Sequence, residues 1–316
     1  MSKAQLFDDI PIDRLLGRLV LFTITDEKIR RDDVVTWFED LALDEALLPM
    51  QNKAVDAFKK ATSATKTTYP MSRDRVGILM CRDVSSSPDY IRRQITREVK
   101  DGSKKRLSYE EACTVIFSRA KNGDQTTARL ETRLNPARLE DEELPFVRAE
   151  MREIRERYES HLEYLDSQKV RYMVRDYLKK LNAIEIKGGV YFVHVSRDDE
   201  LNRLSDLVNR FGGDCMMHMI PMVDREADRA FVVRKFEREA AETLTNLTKE
   251  INEIVGSGNP VAPSTFARLK SKFDEVVGNA EEHVLTLQIS QESTTASAEV
   301  AQNALAELAD RMVSDD

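Results

Sequence analysis

Glycine is scarce in this chain, with 11 among 316 residues, and tryptophan occurs once, cysteine three times and histidine four times. Few glycines and 33% charged residues argue against an all-β protein built on tight turns, and for long helices washed by solvent. Cys81, Cys113 and Cys215 are odd in number and far apart. They offer neither a zinc spacing nor the even, dense set of a disulfide-stapled secreted domain. No apolar run approaches the ~20 residues that cross a bilayer. The opening MSKAQLFDDIPIDRLL also lacks the basic-then-apolar order of a secretory signal. These absences lead to the expectation of a cytoplasmic protein with no membrane partner. A net charge of −8 excludes wholesale wrapping of nucleic acid but leaves room for a local basic patch.

Catalytic signatures are missing as well: GxSxG, HExxH, the P-loop and GxGxxG do not occur. His161 and His283 fall on apolar helix stripes, and His194 and His218 in strands, where a packed imidazole is the simpler reading. Asp198-Asp199-Glu200 and Asp141-Glu142-Glu143 stand at helix starts, where carboxylates complement the dipole. Gly188-Gly189 suits a tight turn as well as a phosphate. The run Cys215-Met216-Met217-His218-Met219, with His194 upstream, combines soft ligands of the kind copper(I) prefers. A strand, however, sends 215, 217 and 219 to one face and 216 and 218 to the other. The expectation is no catalytic set, no cofactor and no metal.

The patterning that is present changes character along the chain. RLVLFTIT (18–25) reads as a strand, 32–47 and 51–62 as helices, and TSATKTTYP as a break. DRVGILMCRDV (74–84) reads as a buried strand and 90–97 alternates with period two. Asp101-Gly102 marks a hairpin, 104–118 returns, and 126–134 adds a further strand. Residues 1–135 are thus expected to form an α+β head with an antiparallel sheet. Beyond it Val147, Met151, Ile154, Tyr158, His161 and Leu165 step by four and three, predicting one long helix of roughly 40 residues and ~60 Å within the segment 136–183. Residues 184–222 read as a β-β-α-β tip and 223–289 as two antiparallel helices. The last segment, 290–316, reads as a linker with a short helix. The expected fold class is α+β and predominantly helical: an N-terminal antiparallel-sheet domain, then a coiled-coil-like stalk carrying the small β-β-α-β insert.

Three surfaces are candidates for contact. RRQITREVKDGSKKR (92–106) places Arg92, Arg93, Arg97, Lys100, Lys104, Lys105 and Arg106 against two acidic residues. Such a hairpin neutralises phosphates without reading sequence, or simply blunts a sheet edge; Tyr90 and Tyr109 are its stacking aromatics. The helix 170–182 and the hairpin 184–193 have the outline of a last helix and wing, without the preceding turn of a helix-turn-helix. At the tip, Lys187, Tyr191, Met217 and Met219 are the expected protein-contact set.

LNAIEIKGGVYFVH, HMIPMVD and the earlier NKAVDAFKKAT resemble an uncharacterised family of actinobacterial and bacteriophage proteins. The resemblance implies a phage or phage-related origin, hence a host cytoplasm, and supplies no activity. The function expected is a non-enzymatic interaction protein that acts through protein–protein contacts of stalk and tip, self-association among them. The alternatives are an accessory nucleic-acid-binding protein using 92–106 and an enzyme of unrecognised class, which requires a pocket of converging polar side chains.

Overall fold

The computed structural model describes residues 11–103, 105–120, 127–257, 261–287 and 292–314. In chain order the elements begin with β1 (Leu15–Thr23), β2 (Ile29–Arg30), α1 (Arg31–Asp40), α2 (Ala54–Ser63) and β3 (Lys66–Met71). There follow β4 (Arg75–Ser86), β5 (Tyr90–Lys100), β6 (Arg106–Ser118), β7 (Arg129–Leu134), α3 (Leu144–Glu163) and β8 (Tyr164–Leu165). The chain continues with α4 (Ser167–Lys180), β9 (Ile184–Lys187), β10 (Val190–His194), α5 (Asp198–Arg210) and β11 (Met216–Val223). It closes with α6 (Glu226–Ser257), α7 (Pro263–Leu287) and α8 (Glu292–Ser314). The backbone divides into two units, one of Asp26–Glu39 and Leu48–Val170, the other of Met1–Thr25, Asp40–Leu47 and Arg171–Asp316.

The first unit is organised by a curled five-stranded antiparallel sheet in the order β3-β4-β5-β6-β7. Alternation along each strand sends one set of side chains under α2 and α3. Phe58 stacks on Phe117 at 5.0 Å and Tyr69 on Phe146 at 4.8 Å, around buried Leu79, Ile95, Val115 and Ile154. Each such side chain contributes about 1.5–3 kcal/mol. Two buried carboxylates tie α3 and its N-terminus to the sheet. Glu150 accepts from the Thr65 and Thr67 hydroxyls and pairs with Arg157, and Glu143 accepts from the Tyr69 hydroxyl and Arg97. TSATKTTYP, read as a break, holds all of β3 but its last residue. Its threonines suit a pleated strand, and Pro70 is tolerated because β3 is an edge.

The single long helix expected over 136–183 is two helices. Tyr164 leaves helical geometry at φ −102°, ψ 143° and, with Leu165, pairs with β2. Asp166 then accepts the Gln168 N–H at 2.9 Å and starts α4 afresh. Leu165 continues the apolar stepping, so the stripe runs through a break that only the cap chemistry marks.

The second unit holds a four-stranded antiparallel sheet in the order β11-β1-β10-β9. The β9–β10 turn carries Gly188 and Gly189 at φ +51° and +85°, as the glycine pair predicts. The expected β-β-α-β insert is present as β9-β10-α5-β11, but it does not close its own sheet: β1 lies between β10 and β11. Gly17 makes this passage possible, since a Cβ there would lie 2.2 Å from the Val193 carbonyl oxygen. Arg18 forms an ion pair with Asp198 at the start of α5. Leu16, Ile184 and Phe192 pack against Val232, Phe236 and Ala240 of α6 and Ala280 of α7. Farther along, Leu247, Ile251 and Leu269 meet Ala304, Leu305 and Leu308 of α8.

The coiled-coil stalk is therefore not the fold. Helix takes 53% and strand 28% of the described residues, and α3, α6 and α7 spend their apolar stripes on sheets as well as on helices. A stripe at helical period reports that one face is buried, not what covers it.

Candidate nucleic-acid interface

β5 runs without interruption through the middle of the five-stranded sheet, so its phase divides the basic hairpin in two. Ile91, Arg93, Ile95, Arg97 and Val99 face the helices, and the unit's apolar cluster lies wholly on that side. Tyr90, Arg92, Gln94, Thr96, Glu98 and Lys100 take the opposite face. Register brings Met80 and Glu111 beside Thr96, Arg82 and Thr114 beside Gln94, and Tyr109 beside Glu98. Lys66 of β3 and Arg129, Glu131 and Arg133 of β7 extend the same face outward.

Tyr109 is the centre of this face. The residue is 42% exposed, the Arg106 guanidinium lies 5.1 Å from its ring centroid, and the Arg82 Nε donates to the phenol oxygen at 3.2 Å. Hydrogen bonding by Thr96 and Arg82, together with the nearby guanidinium charges, lowers the Tyr109 phenol below its usual value. The neighbouring carboxylates are occupied. Glu98 pairs with Arg106 at 2.5 Å and Lys100 at 3.5 Å, and the Arg106 hydrogen bond holds its carboxyl below the usual range. Glu111 accepts from the Gln94 amide at 2.6 Å and from the Thr114 hydroxyl; Glu131 pairs with Arg133 at 3.0 Å. The face thus presents Lys66, Arg82, Arg92, Lys100, Arg106, Arg129 and Arg133 against three carboxylates. Tyr90, also 42% exposed, stands eight residues from Glu98 along β5, ~26 Å at ~3.3 Å per residue.

The seven basic residues read from the sequence separate accordingly. Arg92, Lys100 and Arg106 lie on the open face. Arg93 is turned inward, with its guanidinium 5.5 Å from the Phe58 ring centroid, 2.7 Å from Asp83 and 2.6 Å from the Thr62 hydroxyl. Arg97 is buried, donating to the Arg138 carbonyl at 3.0 Å and to Glu143 at 3.2 Å. Lys105 is exposed in the β5–β6 turn, where its backbone N–H donates to the Asp101 carboxylate. Lys104 lies outside the described residues. Arg82 and Arg133 join the face only through strand register, which no local pattern reveals.

At the other sheet, Lys187, Tyr191, Met217 and Met219 share one face. Val20 of β1 stands between Tyr191 and Met219 in register. Tyr191 stacks on Phe22 at 6.3 Å, and Met217 is only 7% exposed. The helix 170–182 and the hairpin 184–193 are present as α4 and β9–β10, with β10 paired to β1 rather than projecting as a wing. Among the described residues no three His, Cys, Asp or Glu side chains gather as a metal site requires, and no helix is long and apolar enough to cross a membrane.

Fold and face together define a two-unit α+β protein with a cation-rich sheet face, buried at Thr96, Glu98 and Thr114 and exposed at Tyr90, Arg92 and Tyr109. The chain belongs to a family of unknown function, DUF6744, whose model matches residues 15–314. This agrees with the resemblance to an uncharacterised family seen in the GGVYFV hairpin. No curated protein and no solved structure matches the chain.

Proposed function

We propose that this chain is a non-catalytic nucleic-acid-binding protein that lays a single strand across the open face of the five-stranded sheet. The observation that carries the reading is the exposed Tyr109 ring held between Arg82 and Arg106. An aromatic π-face stacks on any base, and the surrounding guanidinium groups neutralise phosphates. Tyr90, at the far end of β5, gives a second stacking position several nucleotides away. Charge distribution supports the same unit. Residues 26–39 and 48–170 carry 27 Lys and Arg against 25 Asp and Glu, whereas the rest carries 21 against 31. The net negative charge therefore belongs to the other unit.

The test is fluorescence anisotropy with a labelled single-stranded oligonucleotide over a salt series. Affinity is expected to fall with salt, at a slope of about 0.7 per phosphate contacted. Arg82→Glu with Arg106→Glu should weaken binding at least tenfold, and Tyr109→Ala should cost about 1–3 kcal/mol. Salt-insensitive binding, or equal binding by these variants, would remove the proposal.

A protein partner is the second reading, favoured by β11. This is an edge strand exposing Met216 and Ile220, at 38% and 47%, and such an edge accepts an added strand. A partner retained by the wild type but not by Ile220→Asp supports it; equal retention by both sinks it.

A further inference from the structure

A separate cleft of about 710 Å³ opens in the first unit, between the 26–28 segment, the start of α2 and the junction of α3 with α4. Its volume falls within the range of small-molecule and cofactor sites. Five lysines line it: Lys28, Lys53, Lys59, Lys60 and Lys169. We infer that this cleft binds a phosphorylated small molecule of about nucleotide size.

The walls are built rather than incidental. The Asn52 amide donates to the His161 and Tyr164 carbonyls at 2.7 and 3.0 Å, which locks the end of α3 to the approach to α2. Its own oxygen receives the Lys169 ammonium at 2.5 Å, so Lys169 is held at the wall by a neutral group. Burial, and next the charge of Lys60, lower the Lys169 ammonium below its usual value. The same two causes, in the same order, lower the His161 imidazole. With five lysines against four carboxylates the lining is positive by one charge, and it is partly withdrawn from water, where an arriving anion is attracted more strongly than at the open surface. Tyr164 lies on the same wall with the Lys28 ammonium 5.7 Å from its ring centroid, offering an aromatic surface beside a cation.

Four carboxylates also line the cleft, and they refine the ligand class. Asp166 is committed, accepting the Gln168 N–H and pairing with Lys60 at 2.9 Å. Asp26 accepts from the Ser167 hydroxyl. Asp56 and Glu27 complete the lining. Carboxylates accept hydrogen bonds from hydroxyl and amino groups while ammonium groups bind phosphate. A ligand with a phosphate at one end and hydroxyl or amino donors at the other satisfies both, whereas a plain dicarboxylate or an apolar compound does not.

The inference is independent of the sheet face, and titration calorimetry on the full chain separates the two. The probes are inorganic pyrophosphate and ATP. Saturable binding is expected, weakened tenfold or more by Lys60→Gln with Lys169→Gln, and unchanged by Arg82→Glu with Arg106→Glu. Should the first pair fail to fold, judged by circular dichroism, the exposed pair Lys28→Gln and Lys53→Gln carries the test with the same tenfold expectation. No saturable binding of either probe at millimolar concentration overturns the inference. So does binding that the lysine variants leave unchanged, or binding lost only in the Arg82 and Arg106 variant.

Discussion

Arg97 and Glu143 meet 3.2 Å apart beneath the five-stranded sheet, their side chains 8% and 0% exposed. The basic hairpin therefore does not present its central arginine to a ligand; it uses that arginine to receive the N-terminus of α3. The Tyr69 hydroxyl donates to the same carboxylate at 2.8 Å, so removing Glu143 takes the acceptor from a buried phenol and leaves the buried Arg97 only Glu110, at 3.5 Å, as a carboxylate partner. Glu143→Ala is expected to destabilise the unit by about 3–5 kcal/mol, read from urea denaturation. A loss below 1 kcal/mol would contradict the burial of the pair.

Gly17 is where β1 passes β10. Gly17→Ala places a Cβ 2.2 Å from the Val193 carbonyl oxygen and 2.7 Å from the Phe192 ring. The backbone atom cannot step aside as a side chain would, so a loss on the order of 1–3 kcal/mol or more is expected. Hydrogen exchange should localise the loosening to β1 and β10; protection unchanged in both strands would refute the register.

His283 carries a pH dependence. It is buried, with its ring 4.6 Å from that of Phe236. Burial pushes the imidazole down to about 4; the charge of His194 acts in the same direction, and that of Glu282 opposes it. An unfolded histidine takes up its proton near 6.5. Between these values the unfolded chain binds the extra proton, so stability is fully present above about 6.5 and is lost as pH falls toward about 4. The contribution is at most about 3 kcal/mol. His283→Leu should flatten the stability–pH curve across that window, and parallel curves for variant and wild type would exclude the assignment.

Cysteine chemistry follows burial. The Cys113 thiol, fully buried, is pushed up to about 12, and burial also raises the partly exposed Cys81. At pH 8 a thiol reagent should leave Cys113 unlabelled in the native protein and modify it once denaturant is added. Rapid native-state labelling at Cys113, located by mass spectrometry, would contradict its place in the core.

Local patterns carried much of the element order. The alternation from Tyr90 to Arg97, the turn at Gly188-Gly189 and the stripe of α5 are written in neighbouring residues, and each element formed where its pattern stood. The Asp166-Ser167 cap was legible too, but the apolar step through Leu165 masked it. β3 was hidden because a threonine run beside a proline has no strong period. Of the site, only half could be seen: the density of arginine and lysine on 92–106 is local, but which of them face solvent depends on where α2 and α3 cover the sheet. Arg82 joins Tyr109 from another strand, and nothing near Arg82 announces it.

What the amino-acid sequence determined by itself was therefore short-range: helical and strand periods, glycine turns and the scarcity of catalytic motifs. These depend on residues within a turn or two of each other. The tertiary structure alone decided that β1 completes the sheet of β9, β10 and β11, that α3 packs on α2 and a sheet rather than along a helical stalk, and that Arg97 is buried while Arg106 is not. Each is a pairing between segments tens of residues apart, and an apolar or charged side chain carries no mark of the distant partner that will cover it.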